Sequence, residues 1–260
     1  IICSKDKLIF NIVWSFFAQL MQDPTNKMGT ALVLLSIQGT GKSIFVDTMG
    51  ELWADYYMKT SKDSDITGKF NKALHTTLLL VTEDTQRYEA KFMNSFPENN
   101  FTRVIIDSNH HHVVHQSLYE RRFIYPLISE EEVGNEEYYT DLADQIAEDG
   151  FMKALQYDLE NFNYKPYIKY LRNPPKNEVL LNQISFSLGS VYQYWVHCLV
   201  EGVIPFVPYT VTLDGQLQVF NEELFESYKR FCKHKNIKID RNDSQLQMDL
   251  KSILKEMDLD

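Results

Sequence analysis

The sequence predicts an α/β fold built on a parallel sheet, and three observations carry that expectation. Short apolar runs recur at residues 31–35, 77–81 and 103–106. Each run ends in polar or glycine-bearing residues rather than in a tight hairpin turn. The intervals between runs are long enough for helical crossovers, which parallel strands require.

The elements follow in order. Residues 6–21 read as an amphipathic helix, because Asn11, Ser15 and Gln19 recur at helical spacing within an apolar segment. Asp23-Pro24 ends it, since proline disfavours helix in the residue before it. Ala31-Leu32-Val33-Leu34-Leu35 reads as the first strand, followed by a glycine-bearing loop and a helix to about Tyr57. The second run ends in Thr82-Glu83-Asp84 and the third in Asp107-Ser108-Asn109. Helical patterns dominate residues 138–170 and stop at Pro174-Pro175; another helix is expected over 179–199. The proline-spaced 205–208 segment reads as a linker, with helices beyond it near 221–234 and 244–257.

Composition narrows the classes. At 44% hydrophobic and 13% aromatic residues, the chain can fill a core and is not compositionally disordered. No run of apolar residues is long enough to span a bilayer, and 8–21 is interrupted by polar residues at helical spacing. A membrane partner is therefore not expected. Beginning at Ile1, the chain is expected to be part of a longer polypeptide. Cys3, Cys198 and Cys232 are scattered, without metal-ligand spacing, and suit a reducing compartment. A net charge of −10 argues against a general nucleic-acid coat. The charge is uneven: residues 129–150 hold nine acidic residues and no Lys or Arg, whereas 229–241 hold six Lys or Arg and one Asp. The acidic stretch reads as a solvated loop and helix face; the basic one as a solvated helix or a nucleic-acid contact.

The stretch Ser36-Ile37-Gln38-Gly39-Thr40-Gly41-Lys42-Ser43 carries the chemistry. It matches the phosphate-binding P-loop pattern G-x-x-x-x-G-K-[ST] at Gly41, Lys42 and Ser43, with Ser36 where the first glycine usually stands. Gly39 and Gly41 can take the backbone angles that turn successive N–H groups toward one anion. A helix starting at Lys42 adds its positive end. Gln38, Gly39, Thr40, Gly41, Lys42 and Ser43 are therefore the expected nucleotide-binding residues, with Lys42 on the β/γ-phosphates and the Ser43 hydroxyl on Mg²⁺. ATP and Mg²⁺ are the cofactors this implies.

Glu83-Asp84, at the end of the second run, supplies the acidic pair that such a site needs, one carboxylate for the metal and one for the attacking water. The register stays open. Either Glu83 takes the metal and Asp84 the water, or Thr82 stands at the metal position and Glu83 is the base. Asn109 is placed to orient water against the γ-phosphate. Arg121 or Arg122 can stabilise charge on a neighbour's γ-phosphate. His110-His111-His112 is not expected to bind metal, because consecutive residues in extended chain point in different directions.

This ordered series resembles superfamily-3 helicases. The residues are Gln38-Gly39-Thr40-Gly41-Lys42-Ser43, Phe70-Asn71, Glu83-Asp84, Ser108-Asn109-His110 and Glu120-Arg121-Arg122-Phe123. The nearest branch is the primase-helicases of phages, mobile elements and large DNA viruses. The resemblance continues through 138–150 and 180–195 and, more weakly, to the end. It implies an AAA+-like ATPase acting as a hexameric ring that unwinds DNA 3′ to 5′ alongside other replication proteins. It assigns Asn109 the sensor role and Arg121 or Arg122 the finger acting in trans. It also implies a DNA-gripping β-hairpin between Asp84 and Asn109. Those two positions are only 25 apart in sequence, fewer than in the family pattern, with Lys91 the one lysine between them and 99–103 as the tail of that element.

The expected organisation is an N-terminal helical segment (1–24), a P-loop ATPase domain (25–128), a helical region (129–204) and an incomplete helical or winged-helix-like piece (205–260). The leading function is the ATP-driven DNA helicase motor of a primase-helicase, located in the host cytoplasm or at the site of replication. The competing readings are an ATP-binding assembly module with weak or no turnover and another AAA+ replication initiator or loader.

Overall fold

The computed structural model describes residues 2–62, 76–83, 101–110, 113, 121–187, 189–207, 210–211 and 217–256. Two compact units divide the chain, residues 1–183 and 184–260. The first is an α/β unit with a five-stranded sheet in the order β2-β3-β4-β1-β5. The strands are β1 (Ala31–Leu35), β2 (Tyr57–Thr60), β3 (Leu79–Glu83), β4 (Arg103–Ser108) and β5 (Phe123–Ile124). Every pairing in it is parallel. The carboxyl ends of all five strands therefore share one edge, where open α/β sheets bind ligands.

Alternation along the strands sets what that edge presents. Leu32 and Leu34, Leu79 and Val81, and Ile105 face the same core as Val46, Met49 and Trp53. Glu83 and Asp107 continue those rows at two-residue spacing, and the two are aligned across β3 and β4. The sheet thus delivers two carboxylates to the face covered by α2 (Lys42–Glu51). Thr82 points the other way and is fully buried.

Helix α1 (Lys7–Gln22) closes this core with Ile12, Phe17 and Ala18, all fully buried. Asp6 caps it, its Oδ1 accepting from Leu8 N at 2.8 Å and Ile9 N at 3.1 Å, an arrangement worth ~1 kcal/mol. It packs on α4 (Phe151–Asn161) and α5 (Ile168–Arg172), and α3 (Glu136–Ala147) precedes them. Helices fill the 138–170 stretch, as its pattern predicts, in separate pieces. It breaks at Gly150, which holds a left-handed φ of +101°, and at a 3₁₀ turn over Lys165–Tyr167. The helix after the glycine loop ends at Glu51, earlier than expected, and the chain turns into β2. Gly50 allows the turn: a Cβ there would come within 2.5 Å of the Tyr57 ring.

At the start of β4, Arg103 is almost fully buried. Its guanidinium donates to Gln19 Oε1 at 2.7 Å, Pro24 O at 2.7 Å and Phe101 O at 2.6 Å. Neutral acceptors thus hold this cation and tie α1 to the sheet. Lys27 lies close by, and burial, then the charge of Arg103, pushes its ammonium down to about 8. An unfolded lysine titrates near ~10.4. Between those values the unfolded chain holds more protons, so stability rises with pH across that window. Lys27→Met is expected to stabilise the protein at pH 7 by about 1–3 kcal/mol, after allowance for the part of the side chain that water screens. The gain should disappear near pH ~10, as thermal melts of the two proteins across that range will show.

The second unit is helical. α6 (Glu178–Ser187) crosses into it, followed by α7 (Ser190–Glu201), α8 (Asn221–His234) and α9 (Asp243–Glu256). The single helix expected over 179–199 is two, with Gly189 preceding the second. Tyr194, Tyr228, Phe231, Cys232, Leu246 and Ile253 form its core. β6 (Thr210–Val211) and β7 (Leu217–Gln218) pair antiparallel. In the basic 229–241 stretch, Lys229 pairs with Glu226 and Arg241 with Asp249. All three cysteines are buried free thiols, and burial pushes Cys198 up to about 11. Among the described residues, no helix is long and apolar enough to cross a membrane.

Candidate functional site

The loop leaving β1 is shaped by two glycines in the left-handed region, Gly39 at φ +86° and Gly41 at φ +79°. Gly41 is also the residue before α2, so the free N–H groups of that helix open onto the loop. Lys42 turns its side chain back inside it. Its Nζ donates to Asn109 Oδ1 at 2.8 Å, Ser36 Oγ at 3.0 Å, Ser36 O at 3.1 Å and Ile37 O at 3.2 Å. The Asp107 carboxylate lies 3.9 Å away, and both side chains are under 8% exposed. Ser36 does not crowd the loop. Its hydroxyl lies 2.6 Å from Thr40 Oγ1 and forms part of the hydrogen-bonded interior.

A second cluster sits at the ends of β2 and β3. Lys59 Nζ is 2.9 Å from Glu83 Oε1 and 2.9 Å from Asp47 Oδ1, and Tyr57 donates its hydroxyl to Asp47 at 3.2 Å. Burial works against the charge on Lys59, but its hydrogen bonds to Asp47 and Glu83 outweigh it and raise its pKa. Burial first, then the neighbouring carboxylates, raises Tyr57. Both groups therefore hold their protons throughout the neutral range.

α3 covers the loop from outside. Tyr139 donates its hydroxyl to Gly39 O at 2.9 Å. A Cβ on Gly41 would meet the Tyr139 ring at 3.0 Å, so glycine is needed there for space as well as for φ. Burial raises the Tyr139 phenol, which stays a donor at neutral pH.

The glycine loop, the sheet edge and Tyr139 line one cleft of about 480 Å³. Gln38, Gly39, Thr40, Gly41, Lys42 and Ser43 contribute its loop wall, and Ser61, Glu83, Asp107 and Asn109 its sheet edge. The sequence expectations for the loop, Glu83 and Asn109 thus fall in one place. Asp84, Lys91, Phe70-Asn71, His111-His112 and Glu120 lie outside the described residues. Arg121 and Arg122 do not line this cleft. They precede β5, and Arg122 O accepts from Ala31 N at 2.8 Å, at the opposite end of the strands. Three residues were missed by sequence reasoning. Asp107 carried a usable signal, since it stands two residues before Asn109 on one strand face. Lys59 and Tyr139 carried none, because only the fold brings Tyr139 to the cleft and Lys59 to Glu83 on its edge.

Comparison with known proteins agrees on the architecture. A family of unknown function, DUF5906, matches residues 34–87, from the end of β1 through β3. No curated protein matches the sequence. Among solved structures, the apo form of the NrS-1 C-terminal region (305–718) superposes with a TM-score of 0.59 at 15% identity, covering 73% of this chain and 50% of that one. An A-form apo structure of the same region gives 0.55 at 17% identity, covering 75% and 54%. A third gives 0.52 at 16% identity, covering 72% and 51%. The chain spans about half the length of the regions it matches. The likeness is one of fold.

Proposed function

We propose that the glycine loop is a P-loop and that the first unit is an AAA+-like ATPase, the motor of a replicative DNA helicase. The observation that carries this reading is Lys42, buried within the loop and held beside Asn109 and Asp107 at the carboxyl edge of a parallel sheet. A buried ammonium whose donors are spent mainly on neutral carbonyl and hydroxyl oxygens is ready to exchange them for phosphate oxygens. The loop amides and the positive end of α2 face the same cleft.

In this reading Lys42 carries charge from the β/γ-phosphates. Ser43 and Glu83, with Asp84, would hold Mg²⁺, which when bound neutralises charge on the transferring phosphoryl group. Asn109 orients water. Asp107 fixes the position of the lysine, and Tyr139 holds the loop closed around the phosphates. Arg121 or Arg122 serves the cleft of the next subunit in a ring, which the resemblance to primase-helicases makes hexameric, with DNA and other replication proteins as partners. The chain then works within the cell, at the site of replication.

ATP turnover with and without single-stranded DNA tests the reading. Stimulation by DNA supports the motor. Nucleotide-dependent oligomers without turnover support an assembly module, a reading favoured by the Lys59 ion pair that occupies Glu83. Tyr139→Phe removes one hydrogen bond to the loop, a change worth ~0.5–1.5 kcal/mol. It is expected to weaken nucleotide binding ~2–10-fold with kcat little changed, which equilibrium titration and steady-state kinetics will resolve.

A further inference from the structure

The basic stretch of the second unit is neutralised at its two ends and bare between them. Lys229 lies over the Phe225 ring at 4.9 Å and pairs with Glu226, and Arg241 Nε is 2.7 Å from Asp249 Oδ2. Arg230, Lys233, Lys235 and Lys238, between those ends, are all exposed. Among the described residues, their side chains make no ion pair. A rigid turn groups them. Ser227, Tyr228, Phe231 and Cys232 bury one face of α8, so Arg230 and Lys233, three apart, share the outward one. The helix then ends in a hydrogen-bonded reversal. Asn236 takes a left-handed φ of +55°. Ile237 N donates to Cys232 O at 2.8 Å and Asn236 N to Lys233 O at 3.3 Å, the paired bonds of a Schellman cap. Ile237 packs against the core of the unit and pins the turn. Lys235 and Lys238 therefore flank a fixed corner. The negative end of α8 favours a cation in its last turn, such as Lys233. It gives no reason for Lys235 and Lys238, which stand beyond the helix.

We propose that this corner of the second unit binds the phosphate backbone of double-stranded nucleic acid. The inference is independent of the nucleotide reading, since it needs neither the glycine loop nor ATP. Three of the four free cations are lysines, compact point charges that suit phosphate without the planar fork that arginine brings to a carboxylate. Interfaces between proteins are depleted in lysine and are anchored by aromatic residues. Here Phe231, the one Phe, Tyr or Trp of residues 229–241, is buried. The same fact separates the two forms of nucleic acid. A single strand is held by stacking its bases on exposed aromatic rings as well as by charge. A duplex keeps its bases inside and turns its phosphates outward, so charge alone engages it, without regard to sequence. The net charge of −10 does not cancel the cluster, because fields from carboxylates more than ~10 Å away are largely screened at 0.1 M salt.

Fluorescence anisotropy of a short labelled DNA duplex, titrated with the whole chain over a range of salt and without nucleotide, tests this. Binding is expected with Kd of ~10⁻⁴–10⁻⁶ M at physiological salt, alike for duplexes of different sequence. Each phosphate neutralised contributes about 0.9 to the slope of log K against log salt. The fourfold variant Arg230→Gln, Lys233→Gln, Lys235→Gln and Lys238→Gln should therefore make that slope shallower by ~3–4. Lys235→Gln with Lys238→Gln leaves the helix unaltered and should remove about half as much. Arginine at the three lysines should preserve the slope, because charge sets it. Lys251→Gln, exposed on α9 outside the cluster, should change neither slope nor affinity. All these sites are on the surface, where substitutions shift stability by about 0.5 kcal/mol or less, so unchanged thermal melts will show that each variant is folded. Duplex affinity and slope that the fourfold variant leaves unchanged would overturn the proposal. So would a single strand that binds more tightly than the duplex at this cluster, or poly-glutamate that binds as well as DNA. Self-association lost in the fourfold variant, with no duplex binding by the unaltered chain, would make the corner a contact between copies. Failure of the unaltered chain to bind ATP would overturn the nucleotide reading and leave this one standing.

Discussion

Lys42→Ala abolishes ATP turnover, with a fall of at least ~10²–10³-fold, the cost of removing one preorganised group that meets charge developing in the transition state. The expectation rests on where the ammonium sits. It is almost fully buried, in a low-dielectric setting where its charge is worth more than at a surface. It also ties Ser36, Ile37 and Asn109 together, so its loss loosens both the loop and the residue proposed to orient water. A second consequence follows from Asp107. That carboxylate is as buried as the lysine and 3.9 Å from it. Deleting one partner of a buried pair can destabilise by ~3–5 kcal/mol, because the other charge is left behind. Lys42→Ala is therefore expected to melt earlier than the unaltered protein. Adding Asp107→Asn should recover much of that stability while turnover stays absent. Turnover that returned with the melting temperature would make Lys42 a structural residue and remove the P-loop assignment.

The parts of this fold that announce themselves in sequence are those where one local signal suffices. β1, β3 and β4 are apolar because both their faces are covered, so each reads as a continuous run. The glycine loop is legible because left-handed angles at residues 39 and 41 leave little choice but glycine. β2 has no such signature. Tyr57, Met58, Lys59 and Thr60 form an edge strand whose first three residues are only partly buried, and their polarity resembles the end of a helix. β5 is two residues long and sits inside a motif. The site divides the same way. Lys42, Glu83 and Asn109 stand at the ends of recognisable strands or loops. Tyr139 lies 100 residues from the glycine whose carbonyl it bonds, and Lys59 reaches Glu83 only because β2 lands beside β3. Contacts made by tertiary placement leave no local periodicity to read.

Mixing two inactive variants, Lys42→Ala and Arg122→Ala, restores ATP turnover, and the geometry gives the reason. All strands of the sheet run one way, so residues just before β5 lie at the edge opposite the cleft. Ala31, at the start of β1, is level with Phe123, and Lys42 follows the far end of β1. A five-residue strand is ~16 Å long, so Arg121 and Arg122 are a full strand length from the cleft of their own chain. If either arginine acts as the finger, it serves the cleft of an adjacent copy, and each active site would then lie between subunits. An arginine finger is worth ~10³–10⁵ in rate, so Arg122→Ala, or Arg121→Ala if that is the finger, should be nearly inactive alone. Random assortment of the two variants around a closed ring leaves about one interface in four with both halves intact. Turnover in the mixture should approach that share of the unaltered rate, a gain far above either variant. Activity per protomer should also rise with protein concentration. The net charge of −10 opposes association most strongly at low ionic strength, so the concentration dependence should shift to lower protein as salt is raised toward physiological levels. Turnover by a strict monomer, independent of concentration and not recovered in the mixture, would place the finger elsewhere and leave the pair before β5 as structural arginines.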